Sequence, residues 1–284
     1  MKKRKIVQTI GFSLLYLSVF IAIFALSSIL YFVIIKGAGV INWEFLTSMP
    51  KEGMTKGGIV PAILGTFYLA TGAILFSLPL GIFAAIYLSE YAKQGRLVRI
   101  VRLGINNLSG VPSIVFGLFG LGIFVKFFGF GVSILSGALT LGILILPTII
   151  RASEEALLAI PESFREASLA LGATKWQTIK GVVLPNAIPG IMTGAILGVG
   201  RAAGETAPIL FTATTFFCSR LPSSIFDEIQ ALPYHIYALM TEGTHSELQV
   251  PIAYGTTLVL ISLVLLINLL AIIIRYKMRK GKKW

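Results

Sequence analysis

Arg201 follows twenty uncharged residues, Gly181 to Gly200, and Glu205 comes four positions later. An ionised group at membrane depth costs several kcal/mol, so it faces a protein interior or a solute path rather than lipid. At i and i+4 on a helix the two side chains share a face and can pair. Gly204, Pro208 and Thr212 extend that face by their spacing. Two readings compete. In one, Arg201–Glu205 is a neutralised pair that fixes helix packing. In the other it lines the path of an anion, because a guanidinium matches an oxyanion in bidentate geometry and Glu205 holds or releases it. Residue chemistry alone leaves these level. Arg151 ends a fourth apolar run at Leu146-Pro147-Thr148-Ile149-Ile150-Arg151. Snorkelling to the headgroups competes there with a place on such a solute path.

A second constellation lies between two apolar runs, from Arg165 to Pro185. Glu166-Ala167-Ser168, Gly172, Val182 and Leu184-Pro185 stand at fixed intervals in an amphipathic stretch. The pattern predicts helix from Arg151 onward, interrupted at Pro161, with Gly172 ending one short helix and Thr174 capping the next. Trp176, Ile179 and Val182–Val183 provide its apolar contacts, and Leu169, Leu171 and Trp176 are expected to be exposed. Two short helices joined at a glycine have the form of an element that docks in a groove of a soluble partner. An amphipathic helix resting on lipid is the plainer alternative.

The elements that position these residues follow from hydropathy. The chain is 56% hydrophobic and 13% charged, with mean hydropathy +0.87. Uncharged runs cover Ile6–Ile35, Gly57–Ser89, Leu103–Val125, Phe127–Ile150, Gly181–Gly200 and Leu248–Ile274. Each reaches the roughly 20 residues that cross a bilayer as helix. These runs are continuously apolar, without the alternation of a barrel, so six transmembrane helices are expected. The run from Ile6 outlasts the 7–15-residue core of a signal peptide, so it is read as a retained first helix. Residues 1–56 form that helix and an exterior loop, and 57–284 a five-helix core. Gly190, Gly194 and Gly198 make a small-residue stripe suited to close packing.

The net charge of +12 is unevenly placed. Eighteen basic residues fall on the side that holds both termini, and Lys36, Lys51, Lys56, Lys126 and Arg220 on the other. That bias puts both termini in the cytoplasm and argues against a nucleic-acid patch. Arg96, Arg99 and Arg102 form a basic helix face at the headgroups. Asn106, Asn107, Ser109 and Gly110-Val111-Pro112-Ser113 make the third span polar for a lipid-facing helix. Phe217 to Val250 reads as a solvated exterior loop; its His235 and His245 lack metal-ligand spacing, and the single cysteine, Cys218, excludes an internal disulfide.

The spacing from Glu166-Ala167-Ser168 through Gly172 and Val182 to Leu184-Pro185 resembles the cytoplasmic signature of ABC importer permeases. Ser168 and Val182 are small departures from that signature. The resemblance implies a MetI-like fold with an extra N-terminal helix, and a loop of about 151–187 that inserts into a cytoplasmic ATPase. Glu166, Ala167, Gly172, Trp176, Leu184 and Pro185 are then the coupling residues. The chain has no phosphate-binding loop of the G-x-x-x-x-G-K-[ST] type, so it is not expected to be an enzyme, and ATP is used by a partner subunit. Arg201-Ala202-Ala203-Gly204-Glu205-Thr206-Ala207-Pro208 and Gly110-Val111-Pro112-Ser113 resemble the phosphate-importer permeases of the PstA type. That resemblance implies a bacterial inner-membrane importer made with a second permease, an ATPase dimer and an exterior phosphate-binding protein. It places Arg201, Glu205, Arg151 and Thr206 on the phosphate path, with no metal or cofactor in this chain. A permease for another oxyanion such as sulfate is the nearest alternative. An ion-coupled secondary transporter is less favoured, since neither inverted repeats nor further buried carboxylates are evident.

The charge bias makes a direct prediction. In a Cys218→Ser background, a cysteine placed between Lys51 and Lys56 should react with an impermeant reagent in intact cells, and a reporter fused after Trp284 should be cytoplasmic. Labelling only after permeabilisation would reverse the orientation.

Overall fold

Two long helices frame the chain, and the computed structural model describes residues 2–93, 95–218 and 220–280. Gln94, at the head of the basic stretch, and the tail from Gly281 to Trp284 lie outside the described residues. Helix α1 (Lys2–Gly37) is followed by α2 (Trp43–Thr47) and a two-residue hairpin of β1 (Pro50–Lys51) and β2 (Lys56–Gly57). Then come α3 (Val60–Ile86) with a π-helical turn (Tyr87–Tyr91), α4 (Arg96–Leu108), and α5 (Ser113–Gly120) with a second π turn (Leu121–Phe127). Next are α6 (Ile134–Leu158), α7 (Glu162–Ala170), and α8 (Lys175–Thr178) with a third π turn (Ile179–Val183). The chain continues through α9 (Leu184–Gly204), α10 (Ala207–Leu210), α11 (Leu232–Thr241) and α12 (Ser246–Lys280). Apart from that short hairpin, the described residues form a helical membrane protein.

Five stretches are long and apolar enough to span: Gln8–Val40, Val60–Tyr91, Ile134–Leu158, Lys175–Gly204 and Ser246–Lys277. The expected third span is not one helix. Its place is taken by α4 and the α5 segment, which meet at a bend of 102°. Pro112 explains the break, because the residue before a proline avoids helical torsions and proline itself lacks the N–H. The arginine face of α4 also differs from expectation. Arg102 turns inward, 2.7 Å from Glu154 on α6 and 3.2 Å from the carbonyl of Leu88. The third departure is the supposed exterior loop. Residues 229–241 contain no charge and fold back as α11, burying Leu232, Tyr234, His235 and Leu239. Burial lowers the pKa of His235 to about 4, so its imidazole is neutral.

Helices α3, α6 and α9 form the centre, through Leu69, Ala73, Leu141, Leu144, Ile145, Ile149 and Ala202. In lipid, apolar surface gains nothing by hiding from water, so close fit and polar contacts hold helices together. The glycine stripe supplies the fit. A Cβ on Gly190 would come within 2.5 Å of Ala156 Cβ, and one on Gly194 within 2.5 Å of Ala152 Cβ. The α6–α9 seam tolerates no side chain there. Helix α1, by contrast, touches the body near its end, where Gly37 meets the Tyr254 backbone and Lys36 Nζ lies 5.3 Å from the Tyr254 ring.

A second apolar cluster joins Ala85, Ile86, Leu157, Ile160, Ile179, Val183 and Ala187 at the end where α7 and α8 lie. Arg165 crosses it. Its Nη2 lies 2.8 Å from Glu90 Oε1 and donates at 2.9 Å to the Leu157 carbonyl, while Nη1 donates at 2.7 Å to the Ile160 carbonyl. Their side chains are 11% and 8% exposed, so this is a buried ion pair. Removing one partner of such a pair costs about 3–5 kcal/mol, because the other charge stays buried. Arg165→Met should therefore lower the melting temperature of the detergent-purified protein steeply. Adding Glu90→Gln should recover more than half of the loss; equal melting of the single and double variants would refute the pairing.

Candidate functional site

The coupling segment is built by local chemistry. Pro161 opens α7 and Gly172 closes it, with φ of +84° and no atom within 4 Å of a built Cβ. A left-handed residue without steric crowding needs glycine for its torsion alone. Thr174 and Gln177 then form a reciprocal capping box, with Gln177 N donating at 3.3 Å to Thr174 Oγ1 and Thr174 N donating at 2.8 Å to Gln177 Oε1. Ser168 and Thr178 hydroxyls meet at 2.9 Å across the two helices. Ile179 and Val183 are buried and hold the segment to the bundle. What remains outside is apolar: Leu169, Trp176 and Leu171, the last 90% exposed. Glu166 and Ala167 are exposed beside them, and Leu184 and Pro185 are half-buried at the start of α9. The sequence-predicted coupling residues thus share one end of the molecule, and Leu169, Leu171 and Trp176 form a tip left exposed by the described residues.

The charged pair sits at the far end of α9. Arg201 Nε donates to Glu205 Oε1 at 3.2 Å, with side chains 36% and 16% exposed. The pairing is as expected, but the shared helical face is not. Helix α9 stops at Gly204, and Glu205 is extended with φ −77° and ψ 132°. Pro208 is the reason, since it would remove the bond to the Gly204 carbonyl and clash with it. Pro208 and Thr212 are buried beyond the break, with Thr212 Oγ1 donating at 2.8 Å to the Pro208 carbonyl. Thr206 opens α10 half-buried, and its side chain makes no capping bond. Among the described residues, the Arg201 Nη1 and Nη2 amines have no protein acceptor. One edge of the guanidinium is tied and the terminal fork is free. Such a fork can take two oxygens of a tetrahedral oxyanion.

Arg151 is not at a helix end. Helix α6 runs on to Leu158, and the Arg151 Nη2 donates to Asn106 Oδ1 on α4. Nor does it join Arg201. The antiparallel register Gly190–Ala156, Gly194–Ala152 sets Arg201 near the level of Ile145, roughly 9 Å along the axis from Arg151 at 1.5 Å per residue. Sequence reading missed Glu90, Glu154 and Asn106 as partners of Arg165, Arg102 and Arg151. A carboxylate or amide at each apolar run's edge was the available signal. Among the described residues no three His, Cys, Asp or Glu side chains gather to hold a metal.

Residues 77–282 match the family described as the binding-protein-dependent transport system inner membrane component. The chain belongs to that family. Over 279 residues it is 36% identical to the probable ABC transporter permease protein YqgI of Bacillus subtilis (strain 168), covering 94% of this chain and 95% of that one. It is 35% identical over 280 residues to phosphate transport system permease protein PstA 1 of Mycobacterium tuberculosis (strain CDC 1551 / Oshkosh), covering 96% and 90%. A solved structure of the MetNI methionine ABC transporter superposes with TM-score 0.64 at 21% identity, over 78% of this chain and 95% of that chain, which shows the MetI-like fold. The protein is thus an ABC importer permease subunit and not itself an enzyme; the ATPase is a separate subunit.

Gly172 gives the site a test that separates backbone torsion from bulk. A β-branched side chain at φ of +84° costs about 1–2 kcal/mol, whereas asparagine visits that region more readily. Gly172→Val should insert in the membrane yet lose co-purification with its ATPase, and Gly172→Asn should keep most of it. Equal retention by both would show that the glycine torsion does not shape the docking tip.

Proposed function

We propose that this chain is a phosphate permease of a bacterial ATP-driven importer, working with a second related permease, a cytoplasmic ATPase dimer and an exterior phosphate-binding protein. The observation that carries the substrate is the free Arg201 fork beside Glu205. Its support is the 35% identity to a phosphate transport permease along nearly the whole chain. In the empty state Glu205 neutralises Arg201 through Nε alone, and Nη1 and Nη2 stay open to the incoming anion. Arg151, held by Asn106, is the second basic residue of the path, and Thr206 adds a hydroxyl at the helix break. Residues 57–284 make the transport core, and 1–56 an accessory helix and exterior loop. With both termini cytoplasmic, the tip of Leu169, Leu171 and Trp176 reaches the ATPase and Arg201 lies toward the exterior side.

Three strains test the path against a packing role. Two hydrogen bonds to a charged group are together worth about 3–6 kcal/mol, so Arg201→Gln should lower phosphate uptake at least a hundredfold. It also leaves Glu205 unpaired, at less than the roughly 3–5 kcal/mol of a fully buried case, because the pair is partly exposed. Arg201→Gln with Glu205→Gln should then restore membrane abundance without restoring uptake of labelled phosphate. A double variant that transports would sink the path assignment. Uptake in the native strain blocked equally by sulfate would replace phosphate with a broader oxyanion class.

A further inference from the structure

Helix α4 buries none of its residues, and its two faces differ in kind. Leu97, Ile100, Val101 and Leu108 are exposed along one side. Arg96, Arg99, Arg102 and Asn106 lie on the other, with Val98 and Leu103 between them, along a cavity of about 510 Å³. Arg102 is already held through Nη2 by Glu154 and the Leu88 carbonyl, although its buried Nε has no partner among the described residues. Arg96 and Arg99 have no acceptor among the described residues. No acidic residue occurs between Glu90 and Glu154, and those two are held by Arg165 and Arg102. The two exposed guanidinium groups therefore have no counter-charge from the neighbouring chain.

Direction completes the case. The bend of 102° turns α4 across the line of the α5 segment, at the end of the bundle that carries α7. A helix lying across the span, apolar on one side and basic on the other, fits the boundary between headgroups and acyl chains. The geometry points to α4 as a binding site for anionic phospholipid, with Arg96 and Arg99 receiving the headgroup phosphodiester and Leu97, Ile100, Val101 and Leu108 lying against the chains. A free phosphate ion would engage the arginines but would leave the apolar side unexplained; a lipid accounts for both faces. Because Arg102 and Asn106 of the same helix hold Glu154 and Arg151 on α6, a lipid seated here also sets where the end of α6 rests. This assignment does not depend on which solute is transported.

The test uses the full chain, purified in mild detergent, stripped of lipid and given phosphatidylglycerol, phosphatidylcholine or inorganic phosphate, with bound lipid counted by native mass spectrometry. A basic residue near an anionic surface strengthens binding about fivefold, so Arg96→Gln with Arg99→Gln should weaken phosphatidylglycerol binding roughly 25-fold and leave phosphatidylcholine unchanged. Arg96→Lys with Arg99→Lys should keep most of the binding, which separates lost charge from misfolding. Lys5→Gln with Lys277→Gln should change nothing. The site is overturned if the glutamine variant binds phosphatidylglycerol normally, or if the Lys5/Lys277 control loses it as well. Displacement of the lipid by millimolar inorganic phosphate would overturn it in favour of a free-anion site. A photo-reactive group at Leu97 that labels a protein partner instead of lipid in membranes would overturn it too.

Discussion

A single buried guanidinium decides how the coupling segment is joined to the bundle. Arg165 reaches the Leu157 carbonyl in the last turn of α6, the Ile160 carbonyl just beyond it, and Glu90 in the π turn after α3. The last carbonyls of any helix lack intrahelical donors, and here they are capped by a side chain from the next helix. Three chain segments are thereby fixed to one planar group. A lysine ammonium could not replace it, since three donors on one pivot do not present the fixed fork that reaches acceptors on opposite sides. With apolar packing contributing little association energy in lipid, this polar junction and the glycine seam carry a large share of the positioning.

From that junction the chain runs as one helical rod. Lys175–Gly204 is a continuous span of 30 residues that begins at the coupling tip and ends at Arg201 and the break. Gly190 and Gly194 press it against Ala156 and Ala152 of α6, so neither helix can slide without a clash at two levels. In the proposed importer this span is the element that joins the two predicted sites, and its π turn and Pro189 are the places where it can bend.

How much of this was legible in the sequence depends on range. The helix boundaries around Gly172 and Thr174 could be read because glycine torsion and hydroxyl capping act within a few residues. The spans and the glycine stripe could be read because hydropathy and spacing are periodic. Arg165 and Glu90 are 75 positions apart, and nothing in either local pattern names the other. The break before Ser113 was hidden by an apolar run long enough for a span, although Gly110 and Pro112 marked it. The uncharged stretch 229–241 is too short to cross a bilayer and too polar at its flanks to suggest burial, so tertiary contacts decided its place. At Arg201 the i, i+4 spacing gave the pair correctly and the rest of the face wrongly, because Pro208 ended the helix first.

That wrong expectation matters for the chemistry. Two charges within one helix turn are held together by the backbone, and no motion of the helix separates them. Arg201 and Glu205 are not in that condition, since Arg201 belongs to the rod and Glu205 to the extended residue past its end. The 3.2 Å contact crosses the joint. Rotation about the Gly204 and Glu205 torsions changes the distance between the charges at the cost of one long capping bond, from the Glu205 N–H to the Ala202 carbonyl at 3.4 Å. Gly204 meets nothing within 4 Å of a built Cβ, so the joint is not sterically locked on that side. In the proposed phosphate path, a carboxylate that parts from its guanidinium is better placed across such a joint than within a helix. The proline that spoils the helical face is what makes the pair separable.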